Sequence, residues 1–418
     1  MYHPLIKTLS KKSLLFLSLF LLILSTQAQS TKVVGYFPSY RFDLHRLVDY
    51  CMVTHLNLCF ANPNSEGNLH INNFTEVINS AKQNNPDIII CISLGGGWLS
   101  DNVKKNWSNL IDKPANRPAF IEKIVDFVES KNLDGVDFDI EWDAVTSGYS
   151  DFVIALNDSL KAHNKLFTAA LPATYRYPLI TNEALKTFDF INIMAYDATG
   201  PWSPNKPGQH SSYNFAKQSI NFWKNQGVPK EKLVLGVPFY GYNFNDKNNV
   251  FSFTYATMVN KNIANADIDQ VGKAYYNGRP TIEKKVELAS KEVSGIMIWE
   301  LGQDRYDDYS LLTTIHNRFT KLGKITTGLC GNVVSIDEIA DNKTKVYPNP
   351  ASNIITIENN NIEKLEISIT NIFGQILLVN TINQFDKMKI NIAHLPRGMY
   401  LIRAKNGSVI KVHKVIFQ

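Results

Sequence analysis

One short segment carries carboxylates on alternate residues. It reads Leu133-Asp134-Gly135-Val136-Asp137-Phe138-Asp139-Ile140-Glu141-Trp142. A strand turns successive side chains to opposite faces, so Asp137, Asp139 and Glu141 share one face, and Val136, Phe138 and Ile140 share the other. Carboxylates lined up inside a protein are costly unless each finds a partner or takes up a proton. A fold has no need of the row, and the apolar second face argues against a charged edge strand. A divalent metal is one use, since Mg²⁺ takes carboxylate oxygens. Proton chemistry on a sugar is the other and the preferred one; no Cys/His spacing elsewhere adds metal ligands, and no metal or cofactor is expected. In that chemistry Glu141, last in the row, is the general acid, kept protonated near neutrality by neighbouring negative charge. Asp139, one step deeper, shares a proton with it and titrates with it. Asp137, deeper still, holds the proton when Asp139 must be charged. Trp142 points away if the alternation continues and is expected to be a packing residue.

Such a row needs a scaffold that seats it at the mouth of a cavity. Eight apolar runs follow one another along the chain: Val33–Phe37, Met52–Ala61, Ile88–Leu94, Gly135–Trp142, Leu166–Leu171, Phe188–Ala195, Leu233–Phe239 and Gly295–Leu301. Helical recurrence of apolar residues appears at Phe74–Gln83, Arg117–Lys131, Tyr149–His163, Tyr213–Gln226 and Ile282–Lys291, with a further helix at Tyr309–Leu322. Strands alternating with helices predict an α/β fold with parallel pairing, and eight of them predict a closed (β/α)₈ barrel. An open doubly wound sheet is the rival. It would favour a glycine-rich phosphate loop after the first strand, and Gly35-Tyr36-Phe37-Pro38 is not one. Substrates of such barrels bind at the C-terminal ends of the strands, which is where Glu141 falls. The connection from Phe239 to Gly295 is unusually long and is expected to form a lid or wall beside the site.

Composition is that of a folded protein, with 44% hydrophobic and 19% charged residues over 418. A net charge of +5 gives no nucleic-acid footprint. The opening segment has Lys7, Lys11 and Lys12, then an apolar stretch Ser13–Leu24, then small residues at Thr26 and Ala28. That is a secretory signal over 1–28, cleaved after Ala28, and too short for the roughly 20 residues that span a bilayer. The mature protein is expected to be exported, soluble and monomeric. Cys59 and Cys91 lie in apolar runs and read as core residues; a Cys51 bridge is an open alternative with no motif behind it, and Cys330 stands alone near the linker. The predicted domains are a barrel over 29–325, a linker over 326–345 and a β-rich unit over 346–418. The last has strand-like runs Ile354–Ile357, Leu365–Ile369, Ile376–Val379, Met388–Ile392, Met399–Arg403 and Val409–Phe417 and no helical stretch, which predicts a small β-sandwich. All six tryptophans lie before it, so it lacks the stacking platforms of a sugar-binding module.

The Asp134/Asp137/Asp139/Glu141 pattern resembles the DxxDxDxE motif of glycoside hydrolase family 18, the chitinases and their relatives. Other landmarks follow in chain order. Ser93-Leu94-Gly95-Gly96 resembles the family's SxGG segment, and Met194-Ala195-Tyr196-Asp197 its MxYD segment. Trp299 matches the tryptophan that floors the catalytic sugar subsite, and Tyr36 an aromatic near it. The resemblance implies that Glu141 protonates the glycosidic oxygen while the substrate's own N-acetyl oxygen attacks, with no protein nucleophile. It implies that Asp139 stabilises the acetamido group, that Tyr196 holds its oxygen, and that Asp197 and Met194 shape the pocket. Trp98, just past the glycines, reads as a sugar-stacking platform or a lid residue. The long connection leaves room for only a reduced insertion, which implies a shallower and more open cleft. The expected partner is chitin or N-acetylglucosamine oligomers, cut by an endo-acting enzyme. The alternatives are an endo-β-N-acetylglucosaminidase of N-glycan cores and a non-hydrolytic glycan-binding surface protein. In the tail, Val346-Tyr347-Pro348-Asn349-Pro350-Ala351 and Leu395-Pro396-Arg397-Gly398-Met399-Tyr400-Leu401 resemble the C-terminal sorting domain of type IX secretion. That implies a second partner, the outer-membrane secretion machinery, and removal of the tail, with release or attachment at the surface.

Overall fold

The computed structural model describes residues 31–72, 74–324, 344–360, 364–371, 376–406 and 409–418. The segment 1–28, Cys330 and most of the linker lie outside them. The chain divides into two compact units. In the first, eight strands close on themselves: β1 (Lys32–Pro38), β2 (His55–Pro63), β3 (Ile89–Gly96), β4 (Gly135–Ile140), β5 (Leu166–Pro172), β6 (Phe190–Met194), β7 (Leu233–Pro238) and β8 (Gly295–Trp299). All pair in parallel, in the order β1-β8-β7-β6-β5-β4-β3-β2, and β2 returns to β1 with Tyr36 opposite Asn57. These are the eight apolar runs, and the closed barrel displaces the open-sheet rival.

The helices are α1 (Thr75–Asn84), α2 (Asp101–Ile111), α3 (Arg117–Ser130), α4 (Tyr149–Ala162), α5 (Asn182–Thr187), α6 (Tyr213–Asn225), α7 (Tyr255–Lys261), α8 (Arg279–Glu292) and α9 (Leu311–Lys321). The sequence pattern does not reveal α2, whose residues are mostly polar. It buries Trp107, Leu110 and Ile111, and Trp107 packs edge-on to Phe120 and Phe138 and donates from Nε1 to Asn62 Oδ1 at 2.7 Å. Phe138 itself meets Tyr149 and Phe152 of α4 and Phe167 of β5. The outward face of β4 is thus the one that alternation assigned to packing.

The connection after β7 holds a compact insertion. Strands Tyr240–Asn243, Phe251–Thr254, Gln270–Val271 and Ala274–Tyr275 form a four-stranded antiparallel sheet, with α7 between the second and third. It is a short α+β element beside the barrel mouth, as the sequence leaves room for. Cys59 and Cys91 are free and buried, whereas Cys51 is disulfide-bonded.

In the second unit, the described residues from 344 onward form antiparallel strands. Thr344–Tyr347, Ile354–Asn359 and Asp386–Asn391 form one antiparallel sheet; Ile376–Ile382, Leu365–Asn371, Gly398–Asn406 and Val409–Phe417 form another. Alternate residues Ile355 and Ile357, Ile367 and Ile369, and Ile402 are buried in a common core, as two facing sheets require.

Candidate active site

Strand β4 ends at Ile140, yet Glu141 keeps an extended backbone (φ −122°, ψ 161°), so the alternation runs one residue further. Asp137, Asp139 and Glu141 therefore climb one face of the barrel interior towards its mouth. Asp137 is fully buried and accepts four hydrogen bonds: from Tyr36 Oη on β1 (2.7 Å), Ser93 Oγ on β3 (2.7 Å), Thr168 Oγ1 on β5 (2.6 Å) and Asn192 Nδ2 on β6 (3.2 Å). Burial pushes its carboxyl above the ordinary range, and the donated hydrogen bonds pull against that. Asp139 is 3% exposed, and its Oδ1 has no partner. Burial first, and then the charges of Glu141 and Asp137, push it well up. Glu141 is pushed up to about 7, by burial first and by the Asp197 charge second. Neighbouring negative charge, the cause expected from the sequence, is thus joined by low-dielectric burial, which is the larger of the two.

The three glycines after Ser93 are clearances. Gly95 has φ +107°, and a Cβ there would lie 2.4 Å from Asp139 O. At Gly96, with φ +103°, a Cβ would meet the Phe60 ring at 2.7 Å. At Gly97 it would lie 2.8 Å from Glu141 Oε1. The backbone at Gly97 is not left-handed, and the obstructing atom is the end of a side chain. Gly97→Ala is therefore expected to fold but to displace the acid. Turnover of a susceptible oligosaccharide should fall by about ten- to a hundredfold with little change in melting temperature. Wild-type turnover in this variant would mean that the Glu141 position is not critical.

Around this row the remaining predicted residues divide. Trp299, at the end of β8, stacks on Phe60 (5.7 Å, 24°) and leans on Tyr36 (5.7 Å), making one aromatic cluster at the ends of β1, β2 and β8. Tyr36 is 1% exposed, and its hydroxyl belongs to the Asp137 network. Tyr196 is buried just past β6, and burial and the Asp139 charge push its phenol up. Met194 ends β6 and packs in the same cluster as Tyr196 and Trp299. Trp98 is wholly exposed. Trp142 is a correction: it adopts φ +54° and stands 64% exposed, because the chain turns out of the strand after Glu141 and its N–H donates to Tyr177 Oη at 2.9 Å. Asp134 sits at the opposite end of β4, bonded to Lys82 Nζ (3.0 Å) and Ile90 N (2.7 Å).

Sequence reasoning missed what surrounds Asp197. This residue adopts φ +63°, and its Oδ1 accepts from Tyr240 Oη (2.5 Å) and Tyr242 Oη (3.0 Å), with His210 Nδ1 at 3.3 Å. Tyr240 and Tyr242 occupy alternate positions of one insertion strand, a period-two signal visible in Tyr240-Gly241-Tyr242. The position of the Asp197 charge has a measurable consequence. A carboxyl with its pKa raised to about 7 is protonated, and able to donate, below that pH. Turnover should therefore fall as pH rises through about 7. Asp197→Asn removes a negative charge, which favours ionisation of Glu141, so the basic limb should move to lower pH. A limb left in place would remove Asp197 as a source of the shift.

Among the described residues no group of three or more His, Cys, Asp or Glu side chains is arranged to hold a metal. The arrangement offers a carboxyl at the mouth whose pKa is pushed up to about 7, a buried carboxyl below it with an oxygen that has no protein partner, and a cluster of aromatic rings. Such a site in a (β/α)₈ barrel defines a glycoside hydrolase. Residues 32–304 match the model of Glycosyl hydrolases family 18, and residues 345–418 match the Secretion system C-terminal sorting domain. The chain belongs to glycosyl hydrolases family 18. It is similar to the crystal structure of the GH18 chitinase ChiB from the chitin utilization locus of Flavobacterium johnsoniae. The TM-score is 0.71 and the identity 53%, over 73% of this chain and 99% of that one. It is 23% identical to Probable chitinase 10 of Drosophila melanogaster, over 59% of this chain and 14% of that protein. It is 29% identical to Endochitinase 1 of Metarhizium robertsii, over 57% of this chain and 66% of that protein. The chain thus spans less than two thirds of the length of these two relatives.

Proposed function

We propose that the barrel hydrolyses β-1,4 linkages between N-acetylglucosamine units of chitin or its oligomers, cutting within the chain and retaining the anomeric configuration. The observation that carries this is the pairing of Glu141, kept protonated towards neutrality, with a buried Asp139 whose Oδ1 has no protein partner. Glu141 gives its proton to the glycosidic oxygen as the bond to the anomeric carbon breaks. The substrate's acetamido oxygen forms the new bond to that carbon. Asp139 accepts the acetamido N–H and balances the oxazolinium charge, and the Tyr196 hydroxyl holds the acetamido oxygen. Glu141, now a carboxylate, takes a proton from water as the water opens the ring. Tyr36, Met194, Asp197, Trp98 and Trp299 shape the sugar site. The named chitinase of Flavobacterium johnsoniae, which this barrel resembles at 53% identity, supports the substrate class.

The test is a time-resolved product profile from defined N-acetylglucosamine oligomers, run beside a glycoprotein carrying N-linked glycans. Internal cleavage of the oligomers supports the proposal. Glycan release without oligomer cleavage assigns an endo-β-N-acetylglucosaminidase, and oligomer binding without turnover assigns a lectin-like protein.

The export reading belongs to the same proposal. Residues 1–28 direct export and are removed, 29–325 act as the catalytic domain, and 326–345 connect it to the tail. The tail over 346–418 passes the protein, a monomer, through the outer membrane and is then removed, leaving the enzyme free or at the cell surface. The match of 345–418 to a sorting domain supports this. Deleting 346–418 should leave oligomer cleavage nearly unchanged and abolish surface delivery in a host with that machinery. Normal delivery without the tail would refute it.

A further inference from the structure

Lys285 on α8 is fully buried and lies outside the carboxylate row. Its ammonium spends all three donors on neutral acceptors: Ser211 O, Ser211 Oγ and Asn277 Oδ1, each at 2.7 Å. Asn277 Nδ2 also donates to Ser211 O, at 3.0 Å. Ser211 Oγ in turn donates to Ala195 O at 2.6 Å, in the segment that carries Tyr196 and Asp197. The neighbour of Ser211, His210, has no exposed side-chain surface, packs against the rings of Tyr240 and Tyr242, and accepts from Asp197 N at Nδ1 (3.3 Å). One lysine therefore joins an outer helix, the end of the insertion and the loop after β6.

We propose that Lys285 is a positioning residue: through Ser211 it holds the Ala195–Asp197 segment in place at the barrel mouth. This rests on the roles proposed above for Tyr196 and Asp197. Stability alone does not call for a lysine in this place, since buried charges cost more than apolar side chains of similar volume. Burial pushes its pKa down to about 7, with the charge of Asp269 opposing. What the ammonium supplies, and a methionine would not, is three directed donors: two on Ser211 and one on Asn277, which itself donates to Ser211 O.

The test uses the full chain with Lys285→Met and Ser211→Ala, singly and together. Two quantities are read: the kinetic constants on N-acetylglucosamine oligomers, and hydrogen–deuterium exchange of residues 195–212. Lys285→Met should lower kcat about tenfold or more with KM within about threefold, because the loop's placement matters most in the transition state. Amides of 195–212 should exchange at least about tenfold faster while those of β1 to β8 keep their protection. Ser211→Ala should move both readings the same way by less, and the double variant should be no worse than Lys285→Met alone. If Lys285→Met does not fold, Ser211→Ala decides, since it removes one hydroxyl and leaves Lys285 bonded to Ser211 O and Asn277. Unchanged exchange of 195–212 in the folded variants overturns the proposal, and so does unchanged kcat. If the wild-type protein does not cleave the oligomers, the proposed function falls, and the exchange measurement still decides whether Lys285 holds the loop.

Discussion

Changing Glu141→Gln should abolish hydrolysis while leaving oligosaccharide binding close to wild type. Glutamine keeps the volume of the side chain and can still hydrogen-bond, but it has no proton to give to a leaving oxygen. Glu141 stands at the barrel mouth in extended backbone, with Gly97 cleared from its Oε1. Its surroundings keep the carboxyl protonated to about pH 7. General acid catalysis is worth about 10²–10⁴-fold, or about 3–5 kcal/mol of barrier, so the loss should reach at least that range. Initial rates on a chromogenic oligomer, with calorimetric binding to the same variant, measure both halves. Turnover within a few-fold of wild type would remove Glu141 as the acid.

Fully deacetylated chitosan and cellulose oligomers should be almost inert even where they bind. Asp137 is poorly placed to act as a nucleophile: it is fully buried below Asp139, and donors from four strands already bond its oxygens. Asp139 retains a buried oxygen without a partner, which suits an acetamido N–H donated by the substrate. In the proposed mechanism the sugar's own carbonyl oxygen attacks intramolecularly, and effective molarities for such reactions reach about 10⁵–10⁸ M. On that mechanism, removing the acetyl group removes the nucleophile itself, so the loss should exceed that of any single substitution in the surrounding site. The first-formed product should have the β configuration by proton NMR. A thiazoline mimic of the intermediate should inhibit strongly. An α product, or a covalent ester trapped on Asp139 by a fluorinated sugar, would overturn the mechanism even with chitin as the substrate.

Much of this site is legible in the order of residues along the chain. Period-two alternation places Asp137, Asp139 and Glu141 on one face and Phe138 on the other, and the folded β4 keeps both assignments. The eight apolar runs are the eight barrel strands. The same rule fails one residue later, at Trp142, where the chain has left the sheet and φ is positive. It also misses α2, an otherwise mostly polar segment that buries Trp107, Leu110 and Ile111.

The part that residue order settles is local: the direction of a side chain follows from the covalent geometry of a strand, and residues two apart need nothing else to share a face. Which groups then surround a carboxylate depends on how the chain folds back on itself. Tyr36 and Asn192 reach Asp137 across 101 and 55 residues of chain, and Tyr240 reaches Asp197 across 43. Lys285 reaches Ser211 across 74. Burial and Coulomb interaction act through space between such distant residues. The pKa of Glu141, the unpartnered oxygen of Asp139 and the tethering of the Asp197 loop therefore exist only once the barrel has closed.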